Sequence, residues 1–222
     1  MKTIDIPIEG FEDTWDLHAV YSKINLGKQC YQDGELYQAQ ILWEDARSCS
    51  NDQASFLLAL LAKRQNRYKV AERLLLELRT RHISCSEGRV ELELADLYHR
   101  AGMPISALGH LLLARDAGVK IDAVDKYYRA FKHADIDASS DPHGGYILGS
   151  ALIRTDRLYE KAVYYLSQAV QYGEGQTWRA YAALDLAETA KGYDEILSQR
   201  MFQLAETLGY PQILKRKSPF NE

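Results

Sequence analysis

A spacing of small and apolar residues recurs along the chain and limits the folds that it can adopt. In residues 25–46, four positions follow Gly27 at distances of 7, 12, 16 and 19 residues: Gly34, Ala39, Trp43 and Ala46. The same four distances follow Ala95 within residues 93–114. A period of roughly 20–50 residues is typical of repeat architectures, in which each unit buries its apolar face against its neighbours.

Three further copies of the pattern are less regular. Residues 57–78 have Asn66 in place of the glycine, residues 148–169 need one additional turn residue, and residues 184–205 keep the fewest positions. A small residue in the first helix lets a second helix approach closely, and a glycine or asparagine accepts the left-handed conformation that ends a helix. Strand signals are weak. Each copy therefore predicts an antiparallel helix pair.

The pattern predicts five helix pairs, one further helix and a division of the chain into segments. The pairs are expected at 14–32 with 36–49, 52–64 with 68–82, 87–101 with 104–117, 144–155 with 158–172 and 177–190 with 194–208, and the further helix at 121–134. The predicted segments are an N-terminal extension (1–13), N-terminal repeats (14–134), a connector (135–143), C-terminal repeats (144–209) and a tail (210–222).

In these positions the chain resembles the tetratricopeptide-repeat family, and the stretch SQAVQYG at 167–173 resembles its Sel-type relatives. The resemblance extends over roughly residues 20–208, although the proline that usually closes each repeat is absent. It implies an all-α fold, a right-handed superhelix of about five antiparallel helix pairs, with a break near 135–145.

The resemblance also implies a binding surface, because the first helices of such a stack line a concave groove. The groove positions of peptide-binding members fall here on these residues: Lys28, Tyr31, Phe56, Lys63, Arg64, Arg89, Asp96, His99, Arg100, Tyr146 and Arg154. Ile24 occupies another groove position, where one subgroup has a polar residue that grips a carboxylate, so that clamp is not reproduced. The surface suits an amphipathic helix or an extended segment with some acidic residues. Ser150 occupies a further groove position, and packing between repeats is an open alternative for the groove positions Leu60 and Leu92.

The stretch DIDASSDPHGG, at 135–145, has two interpretations. As a calcium loop it would need glycine and glutamate where Ser140 and Tyr146 stand, so the bidentate ligand is missing. As a helix boundary, Asp141 caps a helix that begins at Pro142. The second interpretation predicts a solvated connector, with a kink or seam in the stack.

Composition limits the other classes of function. The net charge is −4 and the only basic cluster is Lys215, Arg216 and Lys217, so no nucleic-acid footprint is expected. No apolar run reaches the ~20 residues of a membrane span. Three cysteines without a paired spacing favour a reducing compartment, and a cytoplasmic protein is expected. No catalytic, cofactor or metal motif occurs, and the six histidines form no metal-ligand spacing.

The sequence therefore predicts a non-catalytic interaction scaffold, an adaptor or chaperone that binds a peptide or helix of another protein. Two alternatives stay open. One is a self-associating structural subunit of a larger assembly, a homo-oligomer that forms through the tyrosine-rich C-terminal half of the chain. The other is a hydrolase or metal protein whose site is hidden in the groove.

Overall fold

Ten α-helices and no strand make up the described part of the chain. The computed structural model describes residues 12–49, 51–81, 87–120, 137–155 and 158–209. The helices are α1 (Glu12–Asp33), α2 (Leu36–Ser48), α3 (Asp52–Arg64), α4 (Tyr68–Thr80), α5 (Glu87–Arg100), α6 (Pro104–Asp116), α7 (Pro142–Thr155), α8 (Tyr159–Tyr172), α9 (Arg179–Ala190) and α10 (Glu195–Thr207). Every bound lies within two residues of its predicted position. The helix expected at 121–134 lies outside the described residues.

The chain forms two compact units, Met1–Ile83 and Ser84–Glu222. In the first unit, α1 packs on α2, α2 on α3, and α3 on α4. In the second unit, every two consecutive helices from α5 to α10 pack on each other. Neighbouring first helices also contact each other, α1 with α3 and α7 with α9. The predicted all-α fold of stacked, tetratricopeptide-like helix pairs is therefore confirmed. None of the described helices is long and apolar enough to cross a membrane.

The connector at 135–143 lies inside the second unit, and the division between compact units falls elsewhere, between residues 83 and 84. Helices α6, α7 and α8 share one apolar core, to which Leu112, Leu148 and Tyr165 contribute. The predicted boundaries of the two sets of repeats stay predictions, because residues 121–136 lie outside the described part.

Left-handed residues end three of the first helices, as the spacing predicts. Asn66 has a φ of 58°, and the equivalent Gly34 and Gly102 have φ angles of 87° and 74°. Asn66 is the one non-glycine residue with positive φ in the described part. Asparagine tolerates this conformation better than most residues do, which explains its substitution for glycine in the second copy.

The predicted close approach within the first pair is formed by Gly27 and Trp43. A Cβ atom at Gly27 would overlap the indole ring of Trp43, so only glycine admits the ring at this depth. The Trp43 ring is 1% exposed, and its Nε1–H donates a hydrogen bond of 3.2 Å to the Ile24 carbonyl oxygen. Ile24 is itself completely buried. Its expected groove position is therefore wrong, because the side chain packs in the core of the pair.

Asp141 caps two helices at once. Its Oδ1 accepts a 2.9 Å hydrogen bond from the Gly144 N–H in the first turn of α7, as predicted for an N-cap. Its Oδ2 accepts bonds from the Ser106 N–H (3.1 Å) and from Ser106 Oγ (2.8 Å), in the first turn of α6. Helix α6 has no capping bond from the side chain of its own N-cap residue, Met103. The carboxylate thus lies at the positive ends of two helix dipoles.

The connector packs more closely than a solvated segment would. Ala138 is completely buried, and its N–H donates a 2.7 Å hydrogen bond to the side-chain oxygen of Gln168 in α8. Asp141 is also buried. Asp137 is exposed, and hydrogen bonds from the Ser139 hydroxyl and N–H hold its pKa below the ordinary value. The expectation of a solvated connector is correct for Asp137 and wrong for Ala138 and Asp141.

Candidate partner-binding surface

All eleven predicted groove residues lie on the first helices of pairs, and none of them is buried. Lys28 and Tyr31 lie on α1; Phe56, Lys63 and Arg64 on α3; Arg89, Asp96, His99 and Arg100 on α5; and Tyr146 and Arg154 on α7. We call these side chains the first-helix surface of each unit. Leu60 and Leu92 are half-buried. The part that any of these side chains plays in binding stays a prediction.

In the first unit, two of the predicted residues meet between α1 and α3. The Arg64 guanidinium lies 4.7 Å from the centroid of the Tyr31 ring, and its Nη1 donates a 3.1 Å hydrogen bond to the Tyr31 carbonyl oxygen. The Tyr31 ring in turn packs against Trp43, with 5.7 Å between ring centroids. An exposed cation is therefore fixed beside an aromatic ring on this surface.

In the second unit, predicted residues also contact other side chains. Arg100 Nε donates a 2.9 Å hydrogen bond to Asp96 Oδ2 one turn earlier in α5. Arg154 Nη2 donates a 3.1 Å hydrogen bond to Asp116 Oδ2 at the end of α6. Tyr146 stacks on Trp178, with ring centroids 5.9 Å apart and an interplanar angle of 9°. Tyr146 therefore contributes to packing as well as to the surface.

A cavity of about 480 Å³ opens between the C-terminal halves of α7 and α9. We call it the α7–α9 cavity. Its lining comes from α7 (Ser150, Ile153, Arg154), from the start of α8 (Tyr159), from α9 (Asp185, Glu188, Thr189) and from the segment between α9 and α10 (Lys191, Tyr193). Cavities of this size hold small ligands or single side chains in many proteins. Ser150 and Arg154 are predicted groove positions, whereas the α9 residues were missed.

Asp185 is the most buried charged residue in the lining of this cavity. Ser150 Oγ donates a 2.5 Å hydrogen bond to Asp185 Oδ2 and so links α7 to α9. Burial raises the pKa of Asp185 above the ordinary aspartate value, the Ser150 bond opposes this rise, and the nearby Glu188 adds to it. Within the described part of the chain, neither Asp185 nor Glu188 has an ion-pair partner.

The raised pKa predicts how Asp185→Asn changes stability with pH. Because the folded-state pKa is raised, the contribution of Asp185 to stability is fully present below the unfolded value of about 3.9 and is lost as pH rises through the folded value. The asparagine amide oxygen can still accept the hydrogen bond from Ser150 Oγ, and the side chain carries no desolvated charge. We therefore expect Asp185→Asn to match the wild type near pH 4 and to be more stable at neutral pH.

Urea unfolding followed by circular dichroism at both pH values measures this difference. Glu206→Gln, on the exposed face of α10, removes the same charge and is the matched control. The difference in unfolding free energy between this control and the wild type should stay constant with pH. A pH-independent difference for Asp185→Asn would contradict the prediction.

The histidines and cysteines do not assemble a metal site in the described part of the chain. No three His, Cys, Asp or Glu side chains lie close enough there to hold an ion. His99 is exposed on α5, whereas His110 is buried in α6, where its Nδ1 lies 2.5 Å from Glu91 Oε2. Burial raises the pKa of the Cys30 thiol, and Cys49 is exposed; neither forms a disulfide.

Within each unit, the helix packing defines an all-α stack of tetratricopeptide-like helix pairs. No protein-family model and no curated protein sequence matches this chain. A solved structure described as "Crystal structure of YrrB: a TPR protein with an unusual peptide-binding site" is similar over 86% of this chain and 87% of that chain, with 15% sequence identity and a TM-score of 0.39. At this level of similarity, the fold assignment rests on the helix pairs of the chain itself.

Proposed function

We propose that the chain is a non-catalytic scaffold for protein–protein interaction, an adaptor or chaperone that binds a peptide or helix of a partner on its first-helix surfaces. The observation that supports this most directly is the α7–α9 cavity, which opens at the predicted groove positions Ser150 and Arg154. Stacked helix pairs in which first helices lie side by side present extended surfaces of this kind.

The chemistry of the surface in the first unit supports the same proposal. Tyr31 and Phe56 are half-buried aromatic side chains, and Lys28, Lys63 and Arg64 add positive charge around them. Aromatic anchors surrounded by charged groups are typical of sites that bind protein segments. This surface suits a segment that combines apolar anchors with acidic residues.

The polar groups of the second unit support a non-catalytic function. Asp185 accepts a hydrogen bond from Ser150, and the hydroxyl of Thr189 donates to the Asp185 carbonyl oxygen. Arg154 is bonded to Asp116. These contacts join neighbouring helices or turns, and the bond between Ser150 and Asp185 does not include the histidine that activates the serine of a catalytic triad.

Charge reversal of Arg64 is expected to weaken peptide binding to the first unit. Peptides are selected from a displayed random library on the immobilised full chain, and their affinities are then measured by fluorescence anisotropy. For selected acidic peptides, Arg64→Glu should weaken binding by about tenfold, because an attractive charge beside the Tyr31 ring becomes repulsive.

Lys69→Glu is the control for this experiment, since Lys69 is an exposed cation on the second helix α4 of the same unit. We expect it to bind the same peptides as the wild type does, within about twofold. Circular dichroism checks that both variants are folded. Failure to select any peptide would reject the proposed function, and equal affinities for the two variants would reject the first-helix surface as the site.

A further inference from the structure

We propose that the α7–α9 cavity receives a lysine or arginine side chain of the bound partner. This inference rests on the proposed function and goes further, because it names the group that the second unit recognises. It also separates the two units chemically: the first-helix surface of the first unit is rich in cations, whereas the cavity of the second unit is suited to bind one.

Helix α9 contributes two carboxylates to the lining of the cavity. Asp185 and Glu188 lie three residues apart on α9 and both line the cavity. Helices α7 and α9 end at Thr155 and Ala190, so the cavity lies beside the C-terminal turns of both helices. The carbonyl groups of such turns carry partial negative charge, which favours a cation and disfavours an anion.

Negative groups outnumber positive groups at the cavity when Asp116, the ion-pair partner of Arg154, is included. Arg154 Nη2 forms an ion pair with Asp116 Oδ2 at 3.1 Å, and Asp116 is not part of the lining. Lys191 is exposed and directly follows the end of α9. Together with Asp116, the charged groups at the cavity are three carboxylates and two cations, an excess of one negative charge.

The mouth of the cavity adds two aromatic side chains and further negative charge. Tyr159 and Tyr193 are 46% and 59% exposed. Burial raises the pKa of Tyr193, and the neighbouring carboxylates Asp194 and Glu160 raise it further. Exposed tyrosine rings can contact both the cationic head and the methylene groups of a long basic side chain. The half-buried Ile153 supplies apolar lining for the same methylene groups.

A double-mutant cycle between protein and peptide tests the assignment. Random peptides are displayed against the immobilised full chain, and the selected sequences are aligned for a recurrent lysine or arginine. One selected peptide is then synthesised with lysine and with acetyl-lysine at that position, which removes the charge and keeps most of the shape. Both peptides are titrated against wild type, Asp185→Asn, Glu188→Gln and the control Glu206→Gln.

Acetylation should weaken binding to the wild type by about tenfold or more. Asp185→Asn should weaken binding of the lysine peptide to a similar extent and reduce the difference between the two peptides to less than about threefold. Glu188→Gln should have the same effect to a smaller degree, and because its side chain is exposed its folding should be unaffected. Glu206→Gln should retain the complete preference of the wild type.

Each alternative result has a distinct meaning. Selected peptides without a recurrent basic residue would overturn this inference and leave the proposed function intact, whereas the absence of any selected peptide would overturn both. Equal weakening of both peptides by Asp185→Asn would overturn the cation assignment. The peptide-free chain is also tested for self-association by sedimentation. If it self-associates and Asp185→Asn abolishes this association, the occupant of the cavity is a second copy of the chain, and the assignment to a partner protein is overturned.

Discussion

Asp141→Ala is expected to destabilise the second unit by about 3 kcal/mol, because three hydrogen bonds at two helix ends are lost together. The N-terminal cap of α7 accounts for about 1 kcal/mol. The remainder comes from Ser106, whose buried N–H and hydroxyl lose their acceptor and cost about 1 kcal/mol each, the lower end of the range for a buried group left without a partner. Urea unfolding monitored by circular dichroism measures the loss.

Asp137→Ala is the matched control, because Asp137 belongs to the same connector and, among the described residues, its side chain bonds to the nearby Ser139. Its exposed side chain should make the loss smaller than about 1 kcal/mol. Ser106→Ala removes one of the three bonds and should give an intermediate loss. Equal losses for Asp141→Ala and Asp137→Ala would show that Asp141 does not stabilise α6 and α7 together.

Trp43→Ala is expected to cost about 4 kcal/mol of stability in the first unit, the largest effect of any change discussed for that unit. The indole ring is almost completely buried against Gly27, which has no Cβ, so neighbouring side chains cannot readily fill the space that alanine leaves. The Ile24 carbonyl oxygen also loses its hydrogen bond from Nε1. Denaturant unfolding followed by circular dichroism provides the measurement.

Trp43→Phe is the control for this substitution. It retains most of the apolar contact and loses only the Nε1–H donor and part of the ring, so we expect it to cost about 1–2 kcal/mol. A loss for Trp43→Ala below about 1 kcal/mol would mean that the first pair does not depend on this contact.

The helix pairs could be predicted because their signals are local. Gly34, Asn66 and Gly102 adopt the left-handed conformation that residue type alone suggests. Helical periodicity then fixes which face of each helix is buried, and this explains why the predicted groove residues lie on first helices and avoid the core. Ile24 is the exception. The resemblance assigns it to the groove but gives no information on how deeply the Trp43 ring enters the pair, and Ile24 is buried in the core of that pair.

The cavity was not predicted, because the last copy of the repeat gives no clear register. Residues 184–205 keep little of the spacing, so the groove positions were not transferred to α9 and Asp185 was missed. A different signal was present: alanines spaced by three and four residues form a completely or nearly completely buried stripe along α9, at positions 180, 183, 187 and 190. This stripe would have placed Asp185 and Glu188 on the remaining face.

The double cap at Asp141 could be only half predicted. Its bond to Gly144 follows from the sequence Asp-Pro at a helix start, whereas its bonds to Ser106 connect residues 35 positions apart. Nothing local in the sequence indicates such a partner. The apolar Met103 at the N-cap of α6 shows only that this helix needs an acceptor from elsewhere.

The bonds of Asp141 have a consequence for insertions and deletions in the chain. They fix the start of α7 directly to the start of α6, so the position of α7 does not depend on how many residues separate the two pairs. For an inserted flexible segment, doubling its length costs only about 0.6 kcal/mol in closure entropy. Segments of very different length could therefore be inserted before Asp137 while the helices on either side keep their register.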